Sequence, residues 1–121
     1  MDEGLRKVVL QLQSQQVDAS RQLQVVRAQL TGKERDKKLT TLTLQEIEQL
    51  PRDSNQAALY RGVGRMFVQE SRNNVENTLR AKMKEATEDV SVFEKKAKYL
   101  ENEIVTAQSS LRDIIQEQAS R

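Results

Sequence analysis

The chain has 121 residues, of which 31% are charged and 3% aromatic, with no cysteine, histidine or tryptophan. That composition excludes a disulfide framework and thiol chemistry and removes the commonest catalytic base and metal ligand. The net charge of +2 comes from bases interleaved with acids, which argues against a nucleic-acid partner, and no stretch approaches the ~20 apolar residues of a membrane span.

Heavy use of Ala, Glu, Lys, Leu, Arg and Gln at helical spacing is the signature of long helices or coiled coil, so stability must come from narrow seams. The start, Met1-Asp2-Glu3-Gly4, is acidic and has no apolar run behind it, so a reducing, soluble compartment is the default and a cytoplasmic location the expectation. From Leu5 the apolar residues alternate steps of four and three: Leu5, Val9, Leu12, Gln16, Ala19, Leu23, Val26, Leu30. This is a heptad seam, too narrow for a helix lying on a globular core, and it predicts a coiled-coil helix over residues 5–39. Past Leu30 the seam positions become Lys33 and Lys37 within a charged run, so the helix is expected to end near Lys38 or Leu39. Gly32 is a weak spot, costing about 1 kcal/mol against alanine in a helix interior.

Residues 40–57 read as a short helix and a loop. Thr43-Leu44-Gln45-Glu46 matches a capping box, the helix should stop at Leu50 before Pro51, and Arg52-Asp53-Ser54-Asn55 reads as loop. Residues 58–70 then break the helical period. Alternating β-branched and aromatic residues around Gly64-Arg65 predict a β-hairpin, with strands from Ala58 to Val63 and Met66 to Glu70. Glycine at the first central position fits a type II′ turn.

Ser71 can cap a second long helix over 71–118. Its seam is faultless: Leu79, Met83, Ala86, Val90, Phe93, Ala97, Leu100, Ile104, Ala107, Leu111, Ile114. Such a helix cannot bury its seam alone, and the hairpin reverses the chain, so the two seams should pack antiparallel with Leu12 near Leu111 and Leu30 near Phe93. The start of the second helix, from Asn73 to Met83, should then lie on Leu42, Leu44, Ile47 and Leu50. The expected fold is mainly α: a single domain over 1–121 in which two long helices form an antiparallel coiled coil, joined by a short helix and one β-hairpin.

No catalytic constellation is visible, and no cofactor or metal is expected. Glu85, Glu88 and Asp89 form an acidic strip explained by the helical period, and Gly62 and Gly64 lack the lysine and helix start of a phosphate loop. Two features exceed what packing needs. At the tip of the helix pair, off-seam Val8, Leu10 and Ile115 join Leu5, Val9, Leu12, Leu111 and Ile114, which either only thicken the terminal packing or mark a binding surface. In the hairpin, Tyr60, Val63, Met66, Phe67 and Val68 around Gly64 are too apolar for solvent on both faces, and an isolated hairpin is marginal in water. The simplest resolution joins hairpins of several subunits into a shared sheet or barrel; the competing one folds the hairpin back on its own helices. A coil that assembles or tethers another complex through its arms is the alternative reading.

The segment Tyr60-Arg61-Gly62-Val63-Gly64-Arg65-Met66-Phe67, in its helix-hairpin-helix setting, resembles the β-class subunits of the prefoldin family. The likeness extends over Leu39 to Leu50 and over Lys95-Lys96-Ala97-Lys98-Tyr99-Leu100-Glu101. The resemblance implies a non-enzymatic subunit of a hetero-hexameric co-chaperone, in which two α-class and four β-class subunits join their hairpins in a β-barrel platform. It implies further that the coiled-coil tips hold unfolded polypeptides, notably actin and tubulin, and deliver them to the cytosolic group II chaperonin without ATP. Neither nucleic acid nor membrane is among the implied partners.

Overall fold

The computed structural model describes residues 2–51 and 58–120 as α1 (Glu3–Glu48), β1 (Leu59–Val63), β2 (Met66–Glu70) and α2 (Arg72–Ala119). Two long helices and one antiparallel hairpin are the architecture expected from the sequence.

α1 begins earlier and ends later than its seam suggests. Asp2 Oδ1 accepts the Leu5 N–H at 2.9 Å, satisfying one of the open amides of the first turn. At the other end the helix does not stop near Leu39: residues 40–48 continue it rather than forming a separate short helix. Gly32 and the threonine run lie inside one unbroken element. Thr43 does not cap: its hydroxyl donates to Leu39 O at 2.8 Å, and Thr31 donates to Arg27 O at 3.0 Å. Such bonds to the carbonyl one turn back satisfy the hydroxyl without leaving the helix. The end comes where Leu50 N–H donates to Ile47 O at 3.1 Å, just ahead of Pro51. The loop expected over Arg52-Asp53-Ser54-Asn55 lies outside the described residues.

The chain folds as two compact units. The first joins Met1–Thr31 to Ser91–Arg121. Its core is the heptad seam itself, with Ala19, Leu23, Val26, Ala97 and Leu100 buried and Phe93 and Ile104 packed against them. Ala107 is buried as well, whereas the seam residues nearer the termini are half-buried. Across the pair, Arg27 Nη2 donates to Glu101 Oε1 at 2.9 Å, as antiparallel pairing requires.

The second unit is Gly32–Val90. Here the four-three spacing does continue beyond Leu30. Lys33, Lys37, Thr40 and Ile47 are half-buried and Leu44 is buried. Long lysine stems can line an apolar seam while their ammonium groups stay wet, which is why the charged run does not end the helix. Lys33 Nζ meets Asp89 Oδ2 at 3.4 Å, and Thr41 Oγ1 lies 3.3 Å from Met83 Sδ. Ala86 and Val90 are buried from α2, but Leu42 and Leu50 stay exposed rather than packing under its first turns.

Ser71 caps α2 as expected, its Oγ accepting the Asn74 N–H at 3.3 Å. The preceding hairpin pairs Leu59 with Glu70, Arg61 with Val68 and Val63 with Met66. Gly64 has φ of 60° and no other described residue has positive φ, so the loop is type II′, not the I′ turn that needs two such residues.

Candidate functional site

The hairpin register fixes what each face offers. Cross-strand partners share a face, and faces alternate along a strand. One face therefore carries Leu59, Val63, Met66 and Val68, crossed by an Arg61–Glu70 ion pair at 3.6 Å. The other carries Tyr60, Gly62, Phe67 and Gln69. Neither is covered: Phe67 is 77% and Met66 67% exposed, and Tyr60, Val63 and Val68 are exposed too. Among the described residues the sheet has only these two strands, so each strand keeps one edge of backbone donors and acceptors without a strand partner. Apolar faces and open edges together make this a surface built to be covered.

The root of the hairpin holds a feature that the sequence reading missed. Arg72 Nη2 donates to Ile47 O at 2.9 Å and Glu48 O at 3.2 Å, and Nη1 donates to Leu50 O at 2.9 Å and Pro51 O at 3.0 Å. Its Nε donates to Glu76 Oε1 at 2.9 Å. Glu76 Oε2 in turn lies 3.7 Å from Arg80 Nη2, which also approaches Glu48 Oε1 at 3.7 Å. The signal in the sequence was indirect: the last turn of α1 has no basic residue of its own to meet its open carbonyls.

The second sequence-derived site lies in the first unit. Val8, Leu10 and Ile115 are exposed, Leu10 at 59% and Ile115 at 61%. Leu5, Val9, Leu12, Leu111 and Ile114 are half-buried, so no seam residue of this end reaches the burial of Leu23 or Leu100. Exposed apolar side chains also occur farther along the same unit, at Val17, Val25, Val92, Tyr99 and Val105. Those stand singly over a buried seam. The end formed by residues 5–12 and 111–115 differs because its seam is open as well.

The concavities among the described residues are side grooves, such as one of about 330 Å³ where Lys33, Asp36, Lys82 and Asp89 meet. In that groove Lys33 pairs with Asp89. Among the described residues no helix is long and apolar enough to cross a membrane.

The family model described as Prefoldin subunit matches residues 7–118. The chain belongs to the prefoldin family. It is 32% identical over 115 residues to prefoldin subunit 1 of Bos taurus, covering 95% of this chain and 92% of the relative. To prefoldin subunit 1 of Arabidopsis thaliana it is 29% identical over 117 residues, covering 97% of this chain and 89% of the relative. In fold it resembles the crystal structure of the prefoldin beta subunit from Thermococcus strain KS-1, with a TM-score of 0.79, 23% identity, and coverage of 87% of this chain and 90% of that one. The chain is thus a prefoldin chaperone subunit, of a non-enzymatic family, and other prefoldin subunits are its partners. For a prefoldin subunit the uncovered hairpin has an immediate chemical sense, since a strand edge is satisfied by another strand.

Proposed function

We propose that this chain is one subunit of a hetero-hexameric co-chaperone, joined to α- and β-class prefoldin subunits through its hairpin. The observation that carries this reading is the hairpin's two uncovered apolar faces, with Tyr60, Val63, Met66, Phe67 and Val68 all exposed around the Gly64 turn. Edge-to-edge pairing with neighbouring hairpins would satisfy the free backbone groups and bury those faces in one step.

The open end of the helix pair is the client-binding surface, through Leu5, Val8, Val9, Leu10, Leu12, Leu111, Ile114 and Ile115. Its half-open seam and the exposed Val8, Leu10 and Ile115 support that role. Each contact would be weak, and several tips in one assembly supply useful affinity by multivalency. Unfolded actin and tubulin chains in the cytoplasm are the expected clients, passed to the cytosolic group II chaperonin without ATP.

The test is the triple substitution Val8→Ser, Leu10→Ser and Ile115→Ser in the reconstituted complex. Native mass should be unchanged while suppression of client aggregation weakens. Undiminished suppression by an intact complex would overturn the assignment of the client surface.

A further inference from the structure

The hairpin is strung between the carbonyl end of α1 and the amide end of α2, and one side chain bridges those two ends. On the α2 side the link is tight, because Ser71 alone separates β2 from α2. On the α1 side, the carbonyls of Glu48, Leu50 and Pro51 accept from Arg72, the first residue of α2, and Ile47 O accepts from it as well as from the Leu50 N–H. With the bond to Glu76, these contacts occupy every N–H direction of a planar guanidinium. The Arg72 side chain is only 22% and that of Glu76 15% exposed, so the charged pair is sheltered from solvent screening.

We infer that Arg72 is the positioning residue of the assembly hairpin. Its guanidinium locks the end of α1 to the residue that follows β2, so the open strands leave the helices in one orientation and are ordered before a partner arrives. This rests on the reading of the hairpin as the assembly device. Ordering a binding element in advance lowers the entropy lost on association, so the clamp acts on subunit joining before it acts on the helix pair. Lysine cannot replace it, because a single ammonium on a flexible stem cannot span several carbonyls and a carboxylate at once.

The test uses the full chain as wild type, Arg72→Ala and Arg72→Lys, with Lys84→Ala as a control for an exposed charge on the same helix. Each is mixed with its partner prefoldin subunits and followed by native mass and association kinetics. Amide exchange is measured on the isolated chain. Both Arg72 variants should join the complex about tenfold more weakly than wild type, and Lys84→Ala should match wild type. The Gln49 and Leu50 amides should exchange faster by about tenfold in the Arg72 variants, while those of Leu23 and Leu100 keep their wild-type rates. Full assembly of Arg72→Lys would overturn the inference, as would seam amides that accelerate in step with those of Gln49 and Leu50. A wild-type chain that fails to join the partners would instead overturn the assembly reading and the inference with it.

Discussion

The ring of Phe67 lies across its cross-strand partner Gly62: a Cβ placed on Gly62 would stand 3.7 Å from Phe67 Cε1. That is an ordinary van der Waals distance, and Gly62 has no positive φ, so the site tolerates a methyl group. The aromatic ring shields a strand glycine that would otherwise expose its backbone.

The two hairpin glycines should therefore respond in opposite ways. Gly62→Ala should be neutral or stabilise the hairpin by about 0.5–1 kcal/mol, since alanine loses less backbone entropy in a strand. Gly64→Val should strain the turn, because φ of 60° crowds a side chain against the following carbonyl at about 1–2 kcal/mol. Native mass is the check: Gly62→Ala should retain the proposed hexamer, and Gly64→Val should lose it while far-UV circular dichroism of the helices is kept.

Leu100, at 3% exposure the most buried large side chain of the α2 seam, should dominate the stability of the first unit. Leu100→Ala should lower it by about 2–5 kcal/mol through lost transfer energy and the cavity left behind. Val105→Ala, on the exposed face of the same helix, should stay within about 0.5 kcal/mol of wild type. Urea unfolding of the two variants side by side gives the comparison.

The Arg27–Glu101 pair is short but wet, with side chains 59% and 48% exposed. Glu101→Gln should cost no more than about 1 kcal/mol, and the difference should shrink as salt is raised. A larger or salt-independent loss in thermal melts would mean that the pair sets the register of the two helices.

Tyr99 donates its hydroxyl to Glu103 Oε1 at 2.9 Å, one turn along α2. That hydrogen bond, and next the nearby carboxylate charge, hold the phenol above the ordinary tyrosine range. A raised pKa favours the protonated form, so the pair's contribution is present below the titration of the unfolded phenol and fades as pH rises through the folded value. In a Tyr60→Phe background, which leaves Tyr99 as the one tyrosine, Glu103→Gln should move the phenolate absorbance titration to lower pH. An unmoved titration would show that the hydrogen bond is not formed in solution.

The seams and the hairpin were legible in the sequence because periodicity states burial directly. Every apolar position on the four-three path from Leu5 to Ile114 is half-buried or buried, and the Val63-Gly64-Arg65-Met66 turn could take only a form with glycine first. The end of α1 was not legible. Lys33, Lys37 and Thr43 carry local signals for leaving a helix, yet α2 gave the lysine stems a seam to line, and Leu39 O gave the Thr43 hydroxyl an acceptor.

By itself, then, the sequence determined the two long helices, their antiparallel pairing and the apolar hairpin between them, since each depends on spacing within a few turns of chain. Only the tertiary structure decided how the end of α1 is closed. The carbonyls of Glu48, Leu50 and Pro51 find their donors on Arg72, more than twenty residues along the chain, and Ile47 O takes a second donor from it. A cap supplied across such a distance leaves no local pattern, because what selects the residue is the place to which the fold returns the chain.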